Sequence, residues 1–223
     1  VEGKGYKEDN YTITKLPGTL TVTASEKAIV ITAASNSWMY NGSAHSDGSY
    51  TVTYDGAEIK ANEEGRYILP TGDEVTAVVT GSVTNVEDTV AGNNKITEYA
   101  VANAGNYNSI QTVNGTLAIT PRQVTLSSVS DSKAYDGTPL TNSEVTVTGD
   151  GFADGEGADY HVTGSQTEVG ESDNTFTYKL NKGTDENNYN IKKVEGKLVV
   201  TASKDEVVVT ITENSGTFKY DGT

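Results

Sequence analysis

The sequence predicts an all-β protein made of small modules in tandem. Three observations lead there: a vocabulary of turn and strand residues, runs that alternate apolar with polar side chains, and one phrase written three times. Of 223 residues, 23 are Gly and 13 are Tyr, with many Thr and Val. Branched and aromatic side chains suit a pleated, half-buried surface, and Gly supplies the turns between strands. Hydrophobic content is 35%, so each core is expected to be thin. Small modules bury a modest share of their surface and are marginal unless reinforced.

The repeat carries most of the information. The stretches "NYTITKLPGTLTVTAS" (10–25), "NYNSIQTVNGTLAITPR" (106–122) and "NYNIKKVEGKLVVTAS" (188–203) each run Asn-Tyr, a short strand, a Gly, then Leu-x-(Val/Ile)-Thr. Their tyrosines, Tyr11, Tyr107 and Tyr189, stand 96 and 82 positions apart. A second marker, "WMYNGSAH" (38–45), "KAYDGTPL" (133–140) and "FKYDGT" (218–223), puts Tyr40, Tyr135 and Tyr220 at spacings of 95 and 85. "VTGS" at 79–82 returns at 162–165 in the same order. Tyr40 to Gly81 spans 41 positions and Tyr135 to Gly164 only 29, so the first full copy holds extra residues between 41 and 80. There "YTVTYDGAEIK" (50–60) predicts an added hairpin around Asp55-Gly56.

These markers divide the chain into the tail of one copy (1–26), a complete copy with the insertion (27–120), a second complete copy (121–203) and the head of another (204–223). "AIVITA" (28–33), "QVTLSSV" (123–129) and "EVVVTIT" (206–212) open the modules as strands. "EVTVTGDG" (144–151) and "NTFTYKL" (174–180) alternate, which sets Val145 and Val147, and then Phe176, Tyr178 and Leu180, on one face. The closing pairs Leu20/Val22, Leu117/Ile119 and Leu198/Val200 keep one phase, so the same face is expected inside in every copy. "TGDEVTAVV" (71–79) and "GFADGEGADY" (151–160) have room for one helical turn at most, and the second reads as a loop. The Tyr-(Asp/Asn)-Gly marker reads as a bend, because Gly and Asn adopt positive φ at low cost. The copies follow one another within a few residues, which predicts an elongated, semi-rigid rod cut from a longer array, each bead with its own core.

The phrases "YDGTPLTN", "VTVTGDGFADGE", "TGSQTEVG" and "NYNIKKVEGKLVVT" resemble the tandem YDG-type and mucin-binding β-grasp-type repeats of bacterial cell-surface adhesins. The likeness is strong over 121–203 and looser over 27–120, where Tyr40-Asn41-Gly42 replaces Tyr-Asp-Gly. It implies an exported, extracellular, wall-associated or outer-surface protein of many repeats, a β-grasp-like mixed sheet or an Ig-like sandwich, and partners that are neighbouring repeats or mucin and glycans. On that basis the expected function is a structural stalk for adhesion. The alternative is a module that recognises mucin or host glycans, for which the ligand-binding residues are unknown.

Charge and motif narrow the chemistry. With 16 Lys and Arg against 31 Asp and Glu the net charge is −15, so the basic stripe a nucleic acid needs is missing. No apolar run is long enough to span a bilayer, and "VEGKGYKEDN" is not a signal peptide. "KLPGTL" (15–20) resembles a wall-sorting signal but has Leu20 where Gly is needed, so it reads as a turn. No enzyme is expected: His45 and His161 sit in unrelated contexts, and no nucleophile elbow accompanies them. The acids Asp150, Asp154, Glu156 and Asp159 depart from the calcium-loop spacing, so neither metal nor cofactor is expected. Lys179 or Lys192 beside "ENNYN" (186–190) would allow an internal Lys–Asn isopeptide bond, but Asn-Tyr also reads as a turn into a strand, so no such cross-link is expected.

Overall fold

In a computed structural model of the chain, residues 8–12, 14–204 and 208–222 are described, and their regular structure is β-strand with four short 3-10 turns. The first copy runs β1 (Ile29–Ala33), β2 (Asn36–Met39), β3 (Tyr50–Tyr54), β4 (Ala57–Ile59), β5 (Tyr67–Ile68), β6 (Glu74–Thr80), β7 (Lys95–Val101), β8 (Ile110–Val113) and β9 (Leu117–Thr120). The second runs β10 (Arg122–Ser128), β11 (Asp131–Ala134), β12 (Val145–Gly149), β13 (Ala158–Val162), β14 (Gly170–Asn174), β15 (Phe176–Leu180), β16 (Tyr189–Val194) and β17 (Gly196–Thr201). The protein is all-β, and the strands fall into several small sheets of two to four strands.

Both copies pair their opening strand in the same mixed way. β1 lies antiparallel to β3 and parallel to β8, Ile29 facing Tyr54 on one side and Ile110 on the other. β10 repeats this between β12 and β16, Val124 facing Gly149 and Ile191. Alternation along β1 and β10 buries Ile29, Ile31 and Ala33, and then Val124, Leu126 and Ser128, while their neighbours are half-covered. A strand's period of two thus gives each sheet one dry face.

The extra residues of the first copy form β4 and β5. Asp55 and Gly56 have φ of 54° and 79°, the positive values that a two-residue hairpin turn requires, and β3 and β4 pair across them. β5 then pairs with β6. The segment 71–79, expected to hold no more than a helical turn, contributes β6, paired with β7 with a one-residue register shift between Val78 and Val79. Its three Val and two Thr favour the strand once a partner is present.

The chain divides into two compact units, and the division does not run at 120/121. One unit comprises Val1–Asn36, Ser46–Ser82 and Val90–Leu117; the other comprises Ser37–His45, Val83–Thr89 and Ala118–Thr223. The first has a core of Ile29, Ile31, Val52, Tyr54, Leu69, Val75, Val101 and Tyr107. In the second, Leu140, Leu198 and Val200 pack together, and Val124, Leu126, Phe176 and Tyr189 are also buried.

Three expected strand faces differ from the structure. Leu20 and Val22, in phase with Leu117/Ile119, are 100% and 96% exposed and lie outside any strand. Of the expected strand 206–212, residues 206–207 lie outside the described residues, and 208–212 are exposed and unpaired in any ladder. Val147 faces Leu126 in register, yet it is exposed because β12 is the edge of its sheet and nothing covers its outer side.

Candidate functional site

Two side-chain arrangements recur at equivalent positions, one in each unit. The first is a buried asparagine. Asn94 donates its Nδ2 hydrogens to the carbonyls of Ala34 (2.8 Å) and Asp47 (2.9 Å), and Asn174 donates to Val129 and Asn142, both at 2.9 Å. Both side chains are fully buried, and their Oδ1 atoms have no hydrogen-bond partner. Each amide therefore ties together two part-buried loop carbonyls, each bond worth about 0.5–1.5 kcal/mol net.

Glycine makes room for that amide. A Cβ at Gly81 would stand 2.6 Å from Asn94 Oδ1, and one at Gly164 would stand 2.3 Å from Asn174 Oδ1. Gly115 and Gly196 press the closing strand against the opening one, since a Cβ there would come within 1.9 Å of Ala34 O and 2.5 Å of Ser128 O. The glycine of the "VTGS" marker and the glycine before Leu-x-(Val/Ile)-Thr thus recur for one reason: no side chain fits. The asparagines escaped sequence reading because a lone Asn before a strand looks like a turn residue. The signal was an Asn in each copy standing 21 and 22 positions before the second glycine.

The second arrangement joins tyrosine to carboxylate. In the first unit Tyr107 donates its hydroxyl to Asp73, which also accepts from Asn103 Nδ2 at 2.8 Å. The Tyr107 and Asn103 hydrogen bonds hold the Asp73 carboxyl below its usual range, while burial, then Asp73, pushes the Tyr107 phenol up. In the second unit Tyr189 donates to Glu156 Oε2 (2.7 Å) and accepts from the Ala153 amide (3.1 Å), and Tyr40 donates to Glu156 Oε1 (2.6 Å). The Tyr40 and Tyr189 rings meet edge to face, 5.6 Å apart at 81°. Burial first, then the Glu156 hydrogen bond and charge, push the Tyr40 phenol up to about 12. Tyr189 is raised further, mainly by burial.

The bend marker is an Asx turn. Asn41 Oδ1 accepts from the Ser43 amide and Asp136 Oδ1 from the Thr138 amide, with Gly42 and Gly137 at φ 78° and 80°. Lys133, then Thr138, hold the Asp136 carboxyl far below its usual range.

The four acids of the loop do different things. Asp150 accepts from the Gln123 amide, Glu156 holds the two phenols, Asp159 lies opposite Lys179 in the β13–β15 ladder, and Asp154 lines an open hollow of about 280 Å³ with Arg122 and Phe152. Among the described residues no three His, Asp or Glu side chains group as metal ligands. His45 stacks on Trp38 at 4.9 Å and bonds Asn41, whereas His161 faces Thr177 in a ladder. Lys192 lies opposite Thr125. The Asn188 amide is engaged elsewhere, donating to Asn85 Oδ1 (3.0 Å) and accepting from the Val86 amide (2.9 Å).

No family model and no curated protein matches the chain. Among solved structures it is similar to the crystal structure of the I9–I11 tandem from titin, at 16% identity and a TM-score of 0.21, over 78% of this chain and 66%, just under two thirds, of that one. Strand pairing within the chain itself is what makes this an all-β protein of tandem modules.

Proposed function

We propose that this protein is a tension-bearing spacer segment, a stalk built of repeats, in a bacterial cell-surface adhesin or surface fibre. The repeat phrases resemble YDG-type and mucin-binding β-grasp-type modules, which supplies the extracellular setting. One observation carries the mechanical role. In each copy the strand by which the chain enters lies parallel to the strand that feeds the closing one: β1 beside β8 over four paired positions, and β10 beside β16 over six.

Tension along the chain draws two such strands past one another. All the ladder's hydrogen bonds are then loaded together instead of being peeled one at a time. Each bond is worth only about 0.5–1.5 kcal/mol net, so loading them in parallel is how a thin module resists force. The recurring residues fit this reading, because Asn94 and Asn174 with their glycines fasten the loops around those ladders. The net charge of −15 keeps neighbouring fibres apart.

Single-molecule stretching tests the proposal. Handles on the chain termini should give a higher unfolding force than handles placed at Ala28 and Asp55, which are joined by a backbone hydrogen bond. The latter pair sits at one end of the antiparallel β1–β3 pairing and unzips it. Equal forces in the two geometries would refute the spacer role. Specific retention on a mucin or glycan array would favour a ligand-binding module instead.

A further inference from the structure

The turn of the first copy and the turn of the second are built alike but are covered differently. The Tyr40 amide donates to Thr120 O at 2.9 Å, and the Tyr135 amide donates to Thr201 O at 2.8 Å. His45 and Val83 exchange a pair of backbone hydrogen bonds, and so do Leu140 and Gln166. Residues 37–45 and 83–89 therefore correspond to 132–140 and 166–172. Within the second unit the first pair of segments is covered. Tyr40 is 5% exposed against Tyr189 and Glu156, and the Asn85 side chain and Val86 amide engage the buried Asn188. The equivalent Tyr135 and Val169 are 38% and 56% exposed.

We propose that Tyr135 and Val169 form a docking surface for a further copy of this repeat. That copy enters through its Asn-Tyr pair and its loop carboxylate. The carboxylate accepts the Tyr135 hydroxyl as Glu156 accepts Tyr40, and the incoming tyrosine sets its ring edge against Tyr135 as Tyr189 does against Tyr40. The incoming asparagine spans the Glu168 side chain and the Val169 amide, the positions of Asn85 and Val86.

The complementary face is found in the same protein. In the first unit Tyr107 and Asp73 repeat the phenol–carboxylate pair, and Asn106, which stands where Asn188 stands, is exposed whereas Asn188 is buried. The exposed Tyr135 and Val169 on one side and the exposed Asn106 beside its phenol–carboxylate pair on the other make a heterologous, open-ended contact, the kind that extends an array. This inference rests on the equivalence of the two copies and is independent of the tension-bearing role.

The test compares the natural chain with one in which residues 122–203 are repeated once more after Ala202. Tetranitromethane labelling should modify Tyr135 about tenfold more slowly in the extended chain, with Tyr40 protected in both, and exchange of the Val169 amide should slow in parallel. Tyr135→Ala should leave the stability of the natural chain unchanged and abolish the Val169 protection in the extended one. Unchanged Tyr135 labelling in an extended chain whose circular dichroism gains one copy's worth of sheet would overturn the proposal. If the added copy does not fold, the natural chain decides. At about 1 mM, the effective concentration a short linker provides, Asn106, Tyr135 and Val169 resonances should move together, and fixed resonances would overturn the proposal.

Discussion

Residues 10–22 and 188–200 spell nearly the same phrase, and among the described residues only the later one is a sheet. Leu198 and Val200 are buried in β17 between β11 and β14. Leu20 and Val22 have the same phase and are almost wholly exposed. The difference lies in the partners. β17 is flanked on both sides, and β16 before it pairs with β10 over six positions, whereas 14–22 lies in no ladder. Strand propensity is a statement about fit to a surface, and without that surface the ordering entropy of about 1–2 kcal/mol per residue is unopposed.

The largest expected effect breaks this comparison directly. Leu198→Ala should destabilise the second unit by about 3–5 kcal/mol, as for other fully buried leucines, while Leu20→Ala should change stability by less than about 0.5 kcal/mol. Urea unfolding of the two variants measures both. Equal effects would mean that residues 10–22 are packed after all.

Asn174→Ala comes next, at about 2–4 kcal/mol, because it removes the shared donor to the part-buried carbonyls of Val129 and Asn142 and empties a fully buried site. Asn94→Ala should act similarly on the first unit, and each substitution should shift its own unit's unfolding transition. Tyr189→Phe should cost about 1–2 kcal/mol by removing a donor from Glu156 and an acceptor from the Ala153 amide.

The smallest effect is alkaline. Tyr40 has its folded pKa raised to about 12, above the ordinary tyrosine value near 10. The stabilisation it supplies is therefore complete below about pH 10 and is lost as pH rises toward 12. Urea midpoints across that window should fall for the natural chain and fall less for Tyr40→Phe. Parallel slopes would detach the phenol from the stability of the unit.

Much of this architecture could be read from the residues alone. The Asp55-Gly56 hairpin follows from turn chemistry, and the burial of Leu117, Ile119, Leu198 and Val200 follows from period-two phase, because both are local rules. Residues 71–79 became a strand only because β7 lies beside them, a fact no nine-residue window contains. Tyr40 was legible as a turn residue but not as a partner of Glu156, 116 positions away. The buried asparagines were missed for the same reason. Their task is defined by carbonyls 32 to 60 positions distant, and sequence spacing does not record which loops will meet.

The pin in each unit has a chemical consequence of its own. Asn94 and Asn174 hold their loops with neutral carboxamides, so nothing in that fastening gains or loses a proton between vinegar and soap. It carries no charge for brine to screen, and it has no sulfur for a reductant to open. A module fastened this way keeps its grip as the acidity, salt and redox state of the fluid around it change.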